Sequence, residues 1–337
     1  MEDAVNAVVL VTNFLVVPAT AYGCQLALGA LGVTLVYGVL RFSNFAQGET
    51  MSFGAMVTIL FTWVLQSWGV GLGPLPTALL ALPVGIAVTA GLCLLTDRWV
   101  FRFYRRTRAQ PVILLVVSVG VMFVINGVIR FVIGPADRVF TDGTRFLLTV
   151  REFKAFTGLS EGLAIKTTQT LSVVVAVVLV VLLFWFLEKT RTGKSMRAWS
   201  DNEDLALLSG VSPEKVVAVT WLIVGALAAV AGTLYGLDKS YKPFTFLSLL
   251  LPIFAAAIIG GLGNPLGAIV GGFVVAFSEV FLTYPYRKFL AYLGPEGWRP
   301  DGLMQFLSTD YKFAISFFIL VVVLLVKPTG VFSGKSS

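Results

Sequence analysis

The segment Arg41-Phe42-Ser43-Asn44-Phe45-Ala46-Gln47-Gly48-Glu49 interrupts two apolar runs with groups able to do polar chemistry. Asn44 and Gln47 can each donate and accept hydrogen bonds, Gly48 permits a bend, and an ionised Glu49 facing lipid would cost roughly 2–4 kcal/mol on insertion scales. Glu49 should therefore face a bundle interior, a cavity or the interface. Two placements fit: a broken helix beside a translocation path, or a short cytoplasmic turn in which Arg41 and Glu49 are interfacial anchors. Asn126 and Asn264 are further polar groups at or within apolar stretches, where an unpaired amide is costly. Helix-to-helix hydrogen bonding would also explain Asn126, and a turn cap before Pro265 would explain Asn264. Asn44, Gln47, Glu49, Asn126 and Asn264 are the candidate pathway residues.

Gly193-Lys194-Ser195 and Gly334-Lys335-Ser336 end like phosphate-binding loops, but the earlier glycine such a loop needs would fall at Glu188 and Thr329. Neither tripeptide follows a buried strand with a helix after it, so the chain is not read as an enzyme and holds no ATPase site of its own. Any ATP-driven function must borrow its motor. With no histidine in the chain, a His-ligated zinc or haem site is excluded, and no metal site is assigned. Cys24 and Cys93 lie in apolar stretches and read as helix-packing residues.

The stretch GKSMRAWSDNEDLALLSGVSP, from Gly193 to Pro213, carries a different signal. Ser200 or Asp201 can cap a short helix, Asp201, Glu203 and Asp204 suit the positive end of its dipole, and Gly210 can end it. Leu205, Leu208 and Val211 fall three apart and make a small apolar face beside Ala206. Too short to span a membrane, such a helix fits a groove on another subunit. A solvated connector would explain the charges but not the apolar face.

The elements that must position these groups follow from composition. Of 337 residues, 57% are hydrophobic and 13% charged, against about 25% charged in a soluble domain. The expected fold is all-α, a polytopic integral membrane helical bundle of about eight to ten spans, some short or broken, forming one domain over residues 1–337. A helix crossing a roughly 30 Å core needs about 20 apolar residues. Such runs occur near 4–18, 20–40, 44–66, 76–97, 111–133, 168–188, 214–236, 244–262, 265–283 and 312–326. The first ends at Pro18 and is either a half-span or the start of one kinked helix with the second. Glu2 and Asp3 stand where a signal peptide would carry basic residues, so the start is expected to stay in the mature protein.

The net charge of +7 would suggest nucleic acid in a soluble protein, but here placement matters more than sum. Arg98, Arg102, Arg105, Arg106 and Arg108, then Lys189, Arg191, Lys194 and Arg197, then Lys327 and Lys335 all fall on one side by alternation, which the positive-inside rule makes cytoplasmic. The 67–75 connection and the segments 134–167 and 284–311 face outward. The mixed charge of 134–167 (Asp137, Arg138, Asp142, Arg145, Arg151, Glu152, Lys154, Glu161) suits either a docking surface or a solvated loop. Gly263, Gly267 and Gly271, and Ala228, Gly232 and Gly236, are spaced by four and mark close helix packing.

The runs GVTLVYGVLRFSNFAQGE (32–49), GKSMRAWSDNEDLALLSGV (193–211), IIGGLGNPLGAIVGG (258–272) and LVKPTGVF (325–332) resemble the permease subunits of branched-chain amino-acid ABC importers, in order and over nearly the whole chain. The resemblance implies a bacterial inner-membrane protein with a cytoplasmic C-terminus. It implies a complex with a homologous second permease, two cytoplasmic ABC ATPase subunits that use ATP and Mg, and a periplasmic substrate-binding protein. It also implies that Arg197 through Gly210, including Asp201, Glu203, Leu205 and Leu208, contains the helix that couples to an ATPase. Within the chain no cofactor is expected; surrounding lipid is a partner and nucleic acid is not. The cargo implied is a branched-chain or other hydrophobic amino acid, with urea, short amides or neutral amino acids as alternatives. An ion-coupled transporter using Glu49 and Glu279 belongs to another class, and a purely structural membrane subunit is disfavoured by the polar interruptions. Two features depart from the family pattern: Gln47 stands where a histidine is usual, and 287–308, with Tyr292, Trp298 and Phe306, resembles an insertion that could lie on the membrane or touch the binding protein.

Overall fold

A computed structural model describes residues 2–140, 142–294, 302, 304–327 and 330–332. Among the described residues nine helices are long and apolar enough to cross a membrane. They are α1 (Glu2–Leu40), α2 (Gln47–Ser67), α3 (Ala78–Arg106), α4 (Pro111–Ile133), α6 (Thr167–Lys189), α9 (Pro213–Lys239), α10 (Pro243–Gly260), α11 (Pro265–Thr283) and α13 (Thr309–Val326). Four shorter helices connect them: α5 (Val150–Thr157), α7 (Arg191–Asp201), α8 (Glu203–Leu208) and α12 (Arg287–Leu293). The only sheet among the described residues is a hairpin of β1 (Phe146–Leu148) and β2 (Ile165–Lys166). The all-α membrane bundle expected from composition is the fold observed.

Several boundaries differ from the hydropathy runs, each for a local reason. The two runs flanking Pro18 are one helix, because a wide i→i+5 turn at Thr12–Val16 absorbs the missing proline N–H. A second wide turn, Asp97–Phe101, carries α3 on through Arg98, Arg102, Arg105 and Arg106, so those arginines ride on a helix extension instead of a loop. Likewise Arg191, Lys194 and Arg197 belong to α7. Gly193 is part of that helix and packs on the Phe186 carbonyl, which is no geometry for cradling a phosphate; Gly334–Ser336 lies outside the described residues.

Small residues hold the bundle together. A Cβ at Gly232 would overlap the Met51 carbonyl, and one at Gly271 the Ala256 carbonyl. Gly263 lies in the turn before α11, with φ +90, so the close α10–α11 contact uses Gly260 and Gly267 instead. Both cysteines are free and buried.

The basic segments gather at one end. There Arg102 pairs with Glu214, the Trp199 indole donates to the Val39 carbonyl (3.2 Å), and the Asn264 amide donates to the Phe332 carbonyl (2.9 Å). The mixed-charge segments share the other end, where the Thr77 N–H meets Asp142 (2.7 Å), Arg138 and Tyr241 exchange two backbone bonds (2.8 Å each), and the Tyr292 hydroxyl donates to Glu161 (2.8 Å). Asn6 and Asn13 of α1 accept from the Glu161 and Ala164 N–H groups, so part of 134–167 is fastened to the bundle. Trp298 lies outside the described residues, while Phe306 stacks on Phe281 and meets Tyr286 edge-on.

Candidate functional site

Of the two placements open to the segment 41–49, the fold adopts the interior one. Residue Arg41 ends α1 in the left-handed region (φ 57), and the chain then turns back into the bundle without forming helix until Gln47. The Gln47 amide fills the gap over Gly32, where a Cβ would collide with it. Gly32 precedes Leu40 by eight residues, or about 12 Å of helix. On the far side Asn126 donates to Glu49 (2.9 Å), and Asn126 lies seven residues, about 10 Å, from Ile133 at the other end of α4. The first turn of α2 thus begins roughly midway along the spans.

Asn44, Gln47 and Glu49 are all fully buried. Asn44 is spent locally, its Oδ1 accepting from the Ala46 N–H (3.1 Å), while the Phe45 N–H bonds Ser118 of α4 (3.0 Å). No side chain caps the helix at Ala46. Neither polar atom of the Gln47 amide has a partner, and Glu49 Oε2 has none. Apolar groups close the surroundings: Phe45 lies 4.8 Å from Phe254, and toward the basic end Phe42 leans on Phe101 at 5.1 Å while Phe101 stacks on Trp221 at 5.3 Å. Asp97 anchors that stack, accepting from the Trp221 indole (2.8 Å) and from both arms of Arg105.

Asn264 is not part of this group. It caps α11, accepting from the Gly267 N–H (3.2 Å), as a turn residue before proline should. Glu279 lies apart as well, near the mixed-charge end, where it accepts from Ser316; the Lys312 ammonium sits 4.8 Å over the Tyr22 ring beside it. Among the described residues no three His, Cys, Asp or Glu side chains converge as metal ligands.

At the basic end α7 and α8 make the second candidate site. The N-cap of α8 is Asn202, which accepts from the Leu205 N–H (3.0 Å), and neither Ser200 nor Asp201 takes that role. Ser200 is unavailable because its hydroxyl donates to the Gly38 carbonyl (3.0 Å), and Asp201 is the last residue of α7. Glu203 and Asp204 hold the first turn, and Gly210 (φ +81) leaves the helix. The apolar residues divide: Ala206 and Val211 turn inward, whereas Leu205 and Leu208 are 62% and 87% exposed. Arg197 and Asp201 border a cavity of about 260 Å³ that reaches Thr34 and Gly38.

One link between the sites has no sequence signature. Trp199 and Ser200 donate to the Val39 and Gly38 carbonyls, and the Arg41 guanidinium donates back to the Ser200 carbonyl. Three bonds therefore clasp the end of α7 to the last turn of α1, directly before the chain enters the buried polar segment. Side chains meeting backbone carbonyls some 160 residues away leave no spacing to find.

The family model for the branched-chain amino acid transport system permease component matches residues 16–324. The chain is 28% identical over 311 residues to the high-affinity branched-chain amino acid transport system permease protein LivH of Escherichia coli K12, covering 92% of this chain and 91% of that one. It is 29% identical to the probable branched-chain amino acid transport permease protein LivH of Methanocaldococcus jannaschii (93% and 90% covered) and 26% identical to BraD of Pseudomonas aeruginosa (92% and 92%). No solved structure matches. The family model over residues 16–324 and the relatives matched along almost the whole length agree: this chain belongs to the family of branched-chain amino acid transport system permease components.

Proposed function

We propose that this protein is the membrane-spanning subunit of a binding-protein-dependent ABC importer for branched-chain or other hydrophobic amino acids. It would pair with a homologous permease, stand in the bacterial inner membrane with its basic end and C-terminus in the cytoplasm, and receive cargo from a periplasmic binding protein. The ATP and Mg chemistry belongs to two separate ATPase subunits. The cargo follows the names of the relatives.

The observation that carries this reading is the exposed pair Leu205 and Leu208 on a capped helix at the basic end. Two bare leucines are unfavourable in water and suit an apolar groove on a soluble subunit. Arg102, Arg105, Arg106 and Arg108 line a cavity of about 420 Å³ with Glu203 and Leu207, so the basic residues frame the same contact. Coupling requires that the closed ATPase dimer bind one permease conformation better than another. The clasp of Trp199, Ser200 and Arg41 supplies a short route from that contact to Asn44, Gln47 and Glu49, the pathway residues of this reading, with Asn126 holding Glu49.

The test is reconstitution of the complex in vesicles. Leu208→Asp should abolish substrate-stimulated ATP hydrolysis while the permease remains folded; normal stimulation would remove α8 from the coupling role. Uptake that needs an ion gradient and no ATPase would favour the ion-coupled class instead.

A further inference from the structure

We propose that the first turn of α2 recognises a zwitterionic α-amino acid by its two charges, the carboxylate at the helix N-terminus with the Gln47 amide and the ammonium at Glu49. This rests on the transport function proposed above and adds which part of the cargo is read.

Three observations converge. The N-terminus of α2 lies deep in the bundle and carries no side-chain cap; its Gln47 N–H meets the Asn44 carbonyl (3.4 Å), which leaves the Gly48 and Glu49 N–H groups and the positive end of the helix dipole to an anion. Gln47 is 0% exposed, yet its donor and acceptor are both unpaired, where a buried amide ordinarily finds partners. Glu49 uses one oxygen on Asn126 and leaves the other open. The neighbouring cation, Arg130, is held 4.3 Å over the Phe244 ring and makes no ion pair with Glu49.

Gln47 and Glu49 flank the helix tip from different sides, Gln47 toward α1 and Glu49 toward α4, so a carboxylate at the tip has the amide on one side and an ammonium partner on the other. The surroundings suit an aliphatic side chain: the Phe45 and Phe254 rings and the Leu250 side chain lie about this turn, with the Phe246 carbonyl over Gly48. The site is closed in this structure. Gln47 and Glu49 are both buried, and the void of about 10 Å³ beside Asn44 and Thr50 borders neither of them, so cargo enters when the first turn parts from α1 and α10. Gly32 meets the Gln47 side chain and Gly48 meets the Phe246 carbonyl of α10, contacts without interlocking branches.

Urea or a short amide, having no ionised group, would not need Glu49; an α-amino acid, with its ammonium, would. Leucine binding to the purified complex of permeases and ATPases should be competed by unlabelled leucine, and about tenfold or more weakly by leucinamide, which lacks the carboxylate, and by 4-methylpentanoate, which lacks the ammonium. In Glu49→Gln the gap between leucine and 4-methylpentanoate should collapse, and in Gln47→Leu the gap between leucine and leucinamide should narrow. A packing defect lowers all ligands together and leaves these ratios alone. Unchanged ratios in both variants overturn the proposal, as does the absence of saturable leucine binding in a complex that transports leucine. Failure of the intact wild-type complex to transport any amino acid would instead overturn the transport function beneath it.

Discussion

Asn126 of α4 donates a 2.9 Å hydrogen bond to Glu49 of α2, joining two spans through the one acid at the buried polar turn. Removing the donor strands a carboxylate oxygen in an apolar interior, which costs about 1–3 kcal/mol. Asn126→Leu should therefore lower the melting temperature of the purified protein, and combining it with Glu49→Gln should restore part of the loss. Simple addition of the two effects would show that the bond carries no energy.

The cap of α8 is a second point of attack. Asn202→Ala removes the side chain that satisfies the Leu205 N–H and should weaken the helix by about 1 kcal/mol. Because Leu205 and Leu208 depend on that helix for their presentation, amide exchange across 203–208 should speed up and substrate-stimulated ATP hydrolysis fall, with Asn202→Ser retaining more of both.

Glycines of the same type should divide by position. Gly232→Ala drives a methyl into the Met51 carbonyl between α9 and α2, and overpacking of this kind costs about 1–3 kcal/mol. Gly127, on α4, has nothing within 4 Å of its notional Cβ, so Gly127→Ala should be neutral or slightly stabilising through helix propensity. Thermal melts of the two variants side by side check the contrast.

Asp97 serves two donors, Arg105 and Trp221, at the basic end of the bundle. Asp97→Ala leaves both unpaired. The loss should fall below the roughly 3–5 kcal/mol of a fully buried pair, because the Arg105 side chain is 25% exposed and water partly replaces the acid. Tryptophan fluorescence should report a loosened Trp221 before the bundle melts.

Outside the spans, Glu152 closes a capping box with Thr149 at the start of α5, and the Thr149 N–H and hydroxyl hold its carboxyl below the ordinary carboxylate range. A group depressed by folding adds stability above its unfolded titration range and loses it as pH falls through the folded one. Amide protection in 153–158 should thus drop on acidification below about pH 4, and Thr149→Ala should remove most of that pH dependence.

Hydropathy along the chain was sufficient for the membrane bundle, its approximate spans and the grouping of basic segments at one end, because each of these depends on local composition and alternation. Asn264 before Pro265 was equally readable, since a cap bonds to its own helix. The depth of Gln47 was not: whether 41–49 forms a surface turn or folds inward depends on whether Gly32, Ser118 and Phe246, on three different helices, leave room for it. The α8 cap moved to Asn202 because Ser200 was claimed by Gly38, and the clasp linking α7 to α1 joins side chains to remote carbonyls that have no residue identity to read. Local sequence thus determined which residues are polar, apolar or helix-ending, while tertiary packing alone decided which polar groups meet and which of them stay unpaired.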